Sequence, residues 1–323
     1  MSRPAILVVG GGLVGAATAL ALAARGWPVT VVDRARPAAD PPQPAAGEAG
    51  SLGVDLRTVA LAPDSLAFLR RIGAWDRDLA LAAEDYDAME VWDADGTGRI
   101  RFEAADSGLE RLGVIVENRR LLAGLWAALE GSDVVVRTGA GVRALTADAG
   151  GVRLALDDGA VLEGALVVGA DGGRSRVREL AGIDAETTDT GQSAVVTVVA
   201  TERAHGRTAW QRFLSTGPLA FLPLPDAPDG RHRCSVVWSL DRARAEAVQG
   251  LADAAFAGEL ERAFEGHLGA ITAVDRRVSF PLLQVHARHY RAPGVVLVGD
   301  AAHVVHPLAG QGVNLGLRDA ALL

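Results

Sequence analysis

The sequence has a single cysteine, Cys234, in 323 residues. That excludes a disulfide framework and a thiolate metal cluster, and it suits a reducing, cytoplasmic setting. A basic surplus is missing too. The formal net charge is −8, which favours solubility and gives no general attraction for nucleic acid. An unbroken apolar run of membrane-spanning length is also absent. Pro4–Ala24 carries no charge, but Gly10, Gly11, Gly12 and Gly15 interrupt it and another strand-like run, Val29–Val32, follows at once. A glycine-broken segment makes a poor continuous apolar helix, so neither a transmembrane span nor a signal peptide is expected there. Internal repeats and long disordered tracts are lacking as well. With 49% hydrophobic and 22% charged residues, the composition is ordinary globular usage. The chain is long enough for one large domain or two interlocked ones.

What is present begins with glycines between two strands. Ala5–Val9 reads as an apolar strand, Gly10–Gly15 (GGGLVG) as a turn, and Leu13–Ala24 as an Ala/Leu-rich helix ended by Gly26. Val29–Val32 is a second strand, closed by Asp33. In this context Gly10 makes the tight turn, Gly12 lets backbone approach a pyrophosphate, and Gly15 allows close helix–strand packing. Asp33 is placed to accept hydrogen bonds from a ribose. The pattern predicts dinucleotide binding.

Two more apolar strands end in the same way. Val161–Gly169 runs into Asp171-Gly172-Gly173. Val295–Val298 runs into Gly299-Asp300, then a loop punctuated by Pro307, Gly310 and Gly312, then the start of a helix from Val313. An isolated Asp-Gly by default only stabilises a turn. Three such ends in one α/β chain are expected to converge on one ligand at the carboxyl edge of a sheet.

Between these segments the composition shifts. Tyr86–Phe102 alternates around Asp95-Gly96 as a hairpin would. Gln192–Thr201, Ala209–Leu224 and Cys234–Leu240 are strand-like and carry aromatics, which suits an antiparallel sheet with one face buried. Phe213, Phe221 and Trp238 either line an apolar substrate pocket or form sheet core. Phe256, Leu260, Phe264 and Leu268 fall on one helix face as core packing. His303 and His306 have the spacing of a metal pair, but no carboxylate or cysteine cluster supports them, so no metal is expected.

Several separated motifs carry a family resemblance. GGGLVG (Gly10–Gly15), GADGGRSRVR (Gly169–Arg178) and VGDAAHVVHPLAGQGVNLG (Val298–Gly316) resemble the class A flavin-dependent aromatic monooxygenases. DLRTVAL (Asp55–Leu61), ENRRLLAGL (Glu117–Leu125), QRFLSTGPLAFLPLP (Gln211–Pro225) and HPLAGQGVNLGLRDAALL (His306–Leu323) resemble the ubiquinone-biosynthesis hydroxylases within that class. The resemblance runs from about Pro4 to Leu323.

The resemblance implies one FAD, NAD(P)H as reductant and O₂ as oxygen donor. The substrate it implies is a prenylated phenol or quinone precursor, hydroxylated on its ring. The implied fold is α/β: an FAD-binding Rossmann-like domain (1–75, 98–185 and 276–323) interleaved with a substrate domain on a mostly antiparallel sheet (76–97 and 186–275). Gly10, Gly12 and Gly15 would surround the FAD pyrophosphate and Asp33 its adenosine ribose. Arg57 and Arg119 would lie near the phosphates or the adenosine side, where guanidinium suits phosphate. Asp171 and Gly172 belong to a motif associated with both FAD and transient NAD(P)H. Asp300 would hold the ribityl–phosphate region. Pro307, Gly310, Gln311, Gly312, Val313 and Asn314 would run beside the isoalloxazine, with backbone N–H groups stabilising negative charge. No side chain is assigned as a catalytic base.

Two departures stand out: Asp33 replaces the longer Glu common at such sites, and relatives continue beyond Leu323. The chain is therefore expected to be C-terminally truncated or a shortened variant. The rival readings are a flavin enzyme acting on another small aromatic and an inactive fragment serving as an assembly partner. The expected setting is cytoplasmic, with peripheral contact at the inner membrane and possible membership of a ubiquinone-biosynthesis complex.

Overall fold

The strand Ile6–Val9 lies at the middle of a six-stranded sheet. A computed structural model describes residues 3–37, 52–148, 150–306 and 310–323. Across that sheet the order is Arg291–Ala292, Val295–Leu297, Leu166–Gly169, Ile6–Val9, Val29–Asp33 and Val135–Thr138. All pairs are parallel except the first. Val9 lies opposite both Val32 and Gly169, and Gly169 lies opposite Leu297. This register brings the ends of three separated strands to one edge.

Burial on both faces explains why these strands are continuous Val/Ile/Leu runs. One face packs on the helix Leu13–Ala24, whose Ala16, Ala17, Ala19 and Ala21 are buried. Small side chains there let the helix Gln311–Leu322 also approach closely: a Cβ on Gly316 would stand 2.5 Å from Val14 Cγ2. The apolar stretch 161–169 is not one strand. Val161–Gly164 joins Val142–Asp148 and Gly151–Leu156 in a small antiparallel sheet, and the chain then turns at Ala165, whose N–H bonds to Ala5 O at 2.8 Å.

A nine-stranded sheet makes up most of the remainder. Its order is His303–Val304, Val278–Ala287, Ala185–Thr201, His232–Asp241, Gly217–Leu224, Thr208–Leu214, Ala88–Asp93 and Arg99–Glu103, with Ile271–Val274 beside Ala185–Thr201. Pairing is antiparallel except between Thr208–Leu214 and Ala88–Asp93. Pairing carries past the expected boundaries: Arg99–Glu103 and Val278–Ala287 belong to this sheet, so cuts at 98 and 276 divide hydrogen-bonded strands. One face is covered by the helices Arg242–Gln249 and Asp253–Ala263, where Phe256, Leu260, Phe264 and Leu268 join Phe221 and Trp238 in a core. The other face looks toward the carboxyl edge of the first sheet.

Candidate functional site

Glycine decides the shape of that edge. Gly10 has φ +103°, and a Cβ there would lie 2.3 Å from Ala170 O. A Cβ on Gly15 would lie 1.9 Å from Gly10 O, so the turn closes only without side chains at these two positions. Around Gly12, by contrast, a Cβ would meet nothing within 4 Å. Gly12 also caps the helix Leu13–Ala24 without any side-chain acceptor and with no acid in the first turn. The first amides of that helix therefore face an open approach, the arrangement that receives an anion.

The carboxylates at this edge are already bonded to the chain. Asp33 accepts from Gly11 N at 2.6 Å and Ala35 N at 3.0 Å. Trp126 Nε1 donates to Gly11 O at 2.7 Å, so the glycine turn is held from both sides. Asp171 accepts from Ser175 Oγ, Arg176 N and Val177 N, fixing the start of the helix Arg176–Leu180. Gly172, at φ +83°, has open space where a Cβ would be. Arg178 then donates to Gly173 O at 2.9 Å and Ala301 O at 2.8 Å, tying the second strand end to the third.

At the third end, Asp300 is accessible to solvent yet enclosed by the walls of a cleft. That partial desolvation raises its pKa from the ordinary carboxylate value, while His303 and Arg57 pull it back down. His303 Nε2 lies 2.7 Å from Asp319 Oδ2, and this hydrogen bond raises the imidazole pKa against the opposing cost of burial. The same carboxylate oxygen accepts from Gly299 N at 2.9 Å. Burial lowers the pKa of His306. Among the described residues, no group of three or more His, Cys, Asp or Glu is arranged to hold a metal ion.

The helix Gln311–Leu322 begins at Gly310, in the left-handed region with φ 62°, again without a side-chain cap. Buried Asn314 sets its position: Oδ1 accepts from Ala62 N at 2.9 Å and Nδ2 donates to Ala60 O at 2.8 Å. Pro307 lies outside the described residues.

A cavity of about 390 Å³ opens between this helix start and the large sheet. Arg57, Asp300 and Gly310–Val313 form one wall; Met89, Gln211, Ala220, Val237 and Phe280 are among the residues of the other. A second hollow of about 380 Å³ lies by Arg36, Arg119 and Trp126. The two predicted arginines are thus separated: Arg57 is in the first cavity, and Arg119 pairs with buried Glu117 beside the second.

The three aromatics with a possible pocket role do not line this cavity. Phe221 is 1% exposed and Trp238 3%, both on the helix-covered face, with Phe221 stacked on Phe264 at 3.9 Å between centroids. Phe213 is on the cavity face but 41% exposed, and it stands outside the cavity lining. Strand parity explains Phe221 and Trp238: Pro218, Ala220 and Leu222 line the cavity, which sends Leu219, its partner Trp238 and Phe221 to the opposite face.

Comparison with known proteins completes this geometry. Residues 3–323 match the FAD binding domain family. The 3-demethoxyubiquinol 3-hydroxylase of Escherichia coli (strain K12) is 39% identical over 315 residues, covering 97% of this chain and 77% of the relative. Ubiquinone hydroxylase UbiL of Rhodospirillum rubrum is 39% identical over 323 residues, covering 98% and 71%. The chain belongs to this family of FAD-binding ubiquinone hydroxylases. Its fold is shared by PqsL, a probable FAD-dependent monooxygenase from Pseudomonas aeruginosa, with a TM-score of 0.77 at 24% identity over 99% of this chain and 84% of that one.

The residues present fit the family's flavin. The glycine edge is closed where chain meets chain, at Gly10 and Gly15, and open where a ligand would lie, at Gly12, Gly172 and Gly312. Trp126, Arg178 and Asp319 hold this hydroxylase edge together, and no motif singles them out. In sequence Trp126 is one apolar position on a helix face. Arg178 and Asp319 sit inside the family motifs with no local sign of their partners.

Proposed function

We propose that this chain is an FAD-dependent monooxygenase that uses NAD(P)H and O₂ to hydroxylate the ring of a prenylated phenol or quinone precursor in ubiquinone biosynthesis. The observation that carries the reading is the large, mainly apolar cavity between the sheet and the glycine-capped start of the helix Gln311–Leu322. It suits an aromatic ring and lies beside backbone N–H groups able to face negative charge. Bound FAD supplies the redox chemistry, taking electrons from NAD(P)H and activating O₂.

In this reading Gly10, Gly12 and Gly15 hold the pyrophosphate, and Asp33 lies at the ribose while keeping its bonds to Gly11 and Ala35. Arg119, with Arg36 and Trp126, borders the adenosine end; Arg57 and Asp300 border the ribityl and flavin end. Asp171 and Gly172 shape the turn between them. Gly310, Gln311, Gly312, Val313 and Asn314 flank the flavin ring, with Asn314 holding the helix start rather than touching ligand. The chain's own tasks are to bind, to orient the ring and to exclude water behind the apolar sheet wall. The FAD-binding and substrate regions interleave, with Arg99–Glu103 and Val278–Ala287 counted to the substrate sheet.

Among the described residues no helix is long and apolar enough to cross a membrane. A prenylated substrate partitions into lipid, so the reading includes peripheral contact with the inner membrane and with neighbouring biosynthetic enzymes. The test is turnover of a prenylated phenol by FAD-loaded protein with NADPH under ¹⁸O₂. One labelled oxygen in the ring product is expected; NADPH oxidation yielding only peroxide would overturn the reading.

A further inference from the structure

The strand Thr208–Leu214 carries four polar side chains that are buried or half-buried, and three of them are bonded within the protein. Thr208 Oγ1 donates to Gly206 O at 3.1 Å, and Trp210 Nε1 donates to His205 O at 3.1 Å. Arg212 donates to Ala263 O at 2.7 Å and Glu265 Oε1 at 2.8 Å. The fourth is Gln211. It is 7% exposed, and among the described residues no hydrogen bond reaches its side-chain amide. Its register partners are Val91 on one side and Ala220 on the other, and Ala220 lines the cavity that Gln211 also lines.

An amide brings two donors and an acceptor with two lone pairs. Water can satisfy them while the cavity is wet. A ring that enters and displaces that water must replace its hydrogen bonds or leave a buried amide unpaired, at the full desolvation cost of that group. Apolar Met89, Ala209, Ala220, Leu222 and Val237 share that wall, where Gln211 is the one amide, with Ser239 and Tyr86 the other polar side chains nearby. Binding sites obtain orientation from few, well-placed polar groups of this kind.

We infer that Gln211 is the substrate-binding residue that hydrogen-bonds an oxygen substituent on the aromatic ring, and so sets which edge of the ring faces the helix start at Gly310–Val313. This rests on the aromatic-hydroxylase reading above. It adds a discriminating residue on the sheet wall, opposite the cofactor side. A ring lacking oxygen at that point is rejected because the amide is then left dry and unpaired.

The test uses FAD-loaded protein and two probes, 2-geranylphenol and geranylbenzene, with dissociation constants measured by calorimetry. Gln211→Met keeps length and removes the amide; Gln211→Asn and Gln211→Leu serve as further variants should the first fold poorly. The expected result for Gln211→Met is 2-geranylphenol binding weakened roughly 10- to 100-fold. Geranylbenzene should bind as well as or better than before, and FAD content and melting temperature should be unchanged, because the ligand-free amide meets only cavity water. Equal affinity of wild type and Gln211→Met for 2-geranylphenol would overturn the assignment alone. If FAD-loaded wild type binds neither probe, the prenylated-ring reading falls and the assignment falls with it.

Discussion

The glycine-lined edge of the first sheet and the sheet wall of the cavity beside Gly310–Val313 are made by different means. The edge is made by backbone: glycines shape it, two helices begin there without side-chain caps, and Asp33 and Asp171 accept hydrogen bonds from the turns they close. The sheet wall is made by side chains: strand parity presents Met89, Ala220 and Val237, with Gln211 beside them and, among the described residues, without a side-chain hydrogen bond. The backbone wall tolerates little substitution, because a Cβ at Gly10 or Gly15 collides with neighbouring carbonyls. A sheet wall tolerates change at each alternate position, so the same fold can be refitted to another ring by altering residues on one face.

The sharpest way to break the comparison is at the backbone wall. Gly15→Val places side-chain atoms against Gly10 O and should cost at least about 4 kcal/mol. Urea unfolding and the loss of bound-flavin absorbance would both report it. Next in size is Phe221→Ala, on the covered face of the sheet, expected to cost about 3–5 kcal/mol. Because Phe221 faces away from the cavity, the variant that remains folded should keep its ring affinity; calorimetry at low temperature separates the two effects.

Asn314→Ala should cost about 2–3 kcal/mol, since Ala62 N and Ala60 O lose their buried partner. It should also loosen FAD, readable as a faster release of flavin fluorescence. The smallest expected effect is electrostatic. The Asp319 hydrogen bond raises the His303 pKa, so the folded state favours the charged imidazole. That stabilisation is complete below the unfolded imidazole pKa and is lost as pH rises through the higher folded value. Melting temperature should therefore fall by roughly 2–4 °C more in wild type than in Asp319→Asn across this window.

The same contrast governs which features the amino-acid sequence makes legible. Gly10, Asp171 and Asp300 stand out because each follows an apolar strand, and glycine at a turn is a local signal. Their convergence follows from the rule for strand ends in α/β sheets, and the registers of Val9, Gly169 and Leu297 agree with it. The face occupied by Phe221 and Trp238 is not legible. Both sides of that sheet are apolar, so Leu219, Ala220, Phe221 and Leu222 show no polar alternation from which to read parity. Gln211 is visible only as one letter of a motif, because its lack of a partner is a long-range fact. Likewise Asp33 reads as a free ribose acceptor in sequence, whereas the fold already bonds it to Gly11 and Ala35.

Asn314 holds Ala60 and Ala62 across more than 250 positions of sequence. This bears on how the protein is born. Long-range closure is slow, and segments awaiting distant partners are exposed to misassembly. During synthesis the amino-terminal glycine turn and its sheet neighbours emerge early, yet the cavity wall beside Ala60 lacks its clasp until Asn314 has left the ribosome. Ribosome-stalled chains ending before that residue should be cut readily by protease near Thr58–Leu61, and chains extending past it should resist.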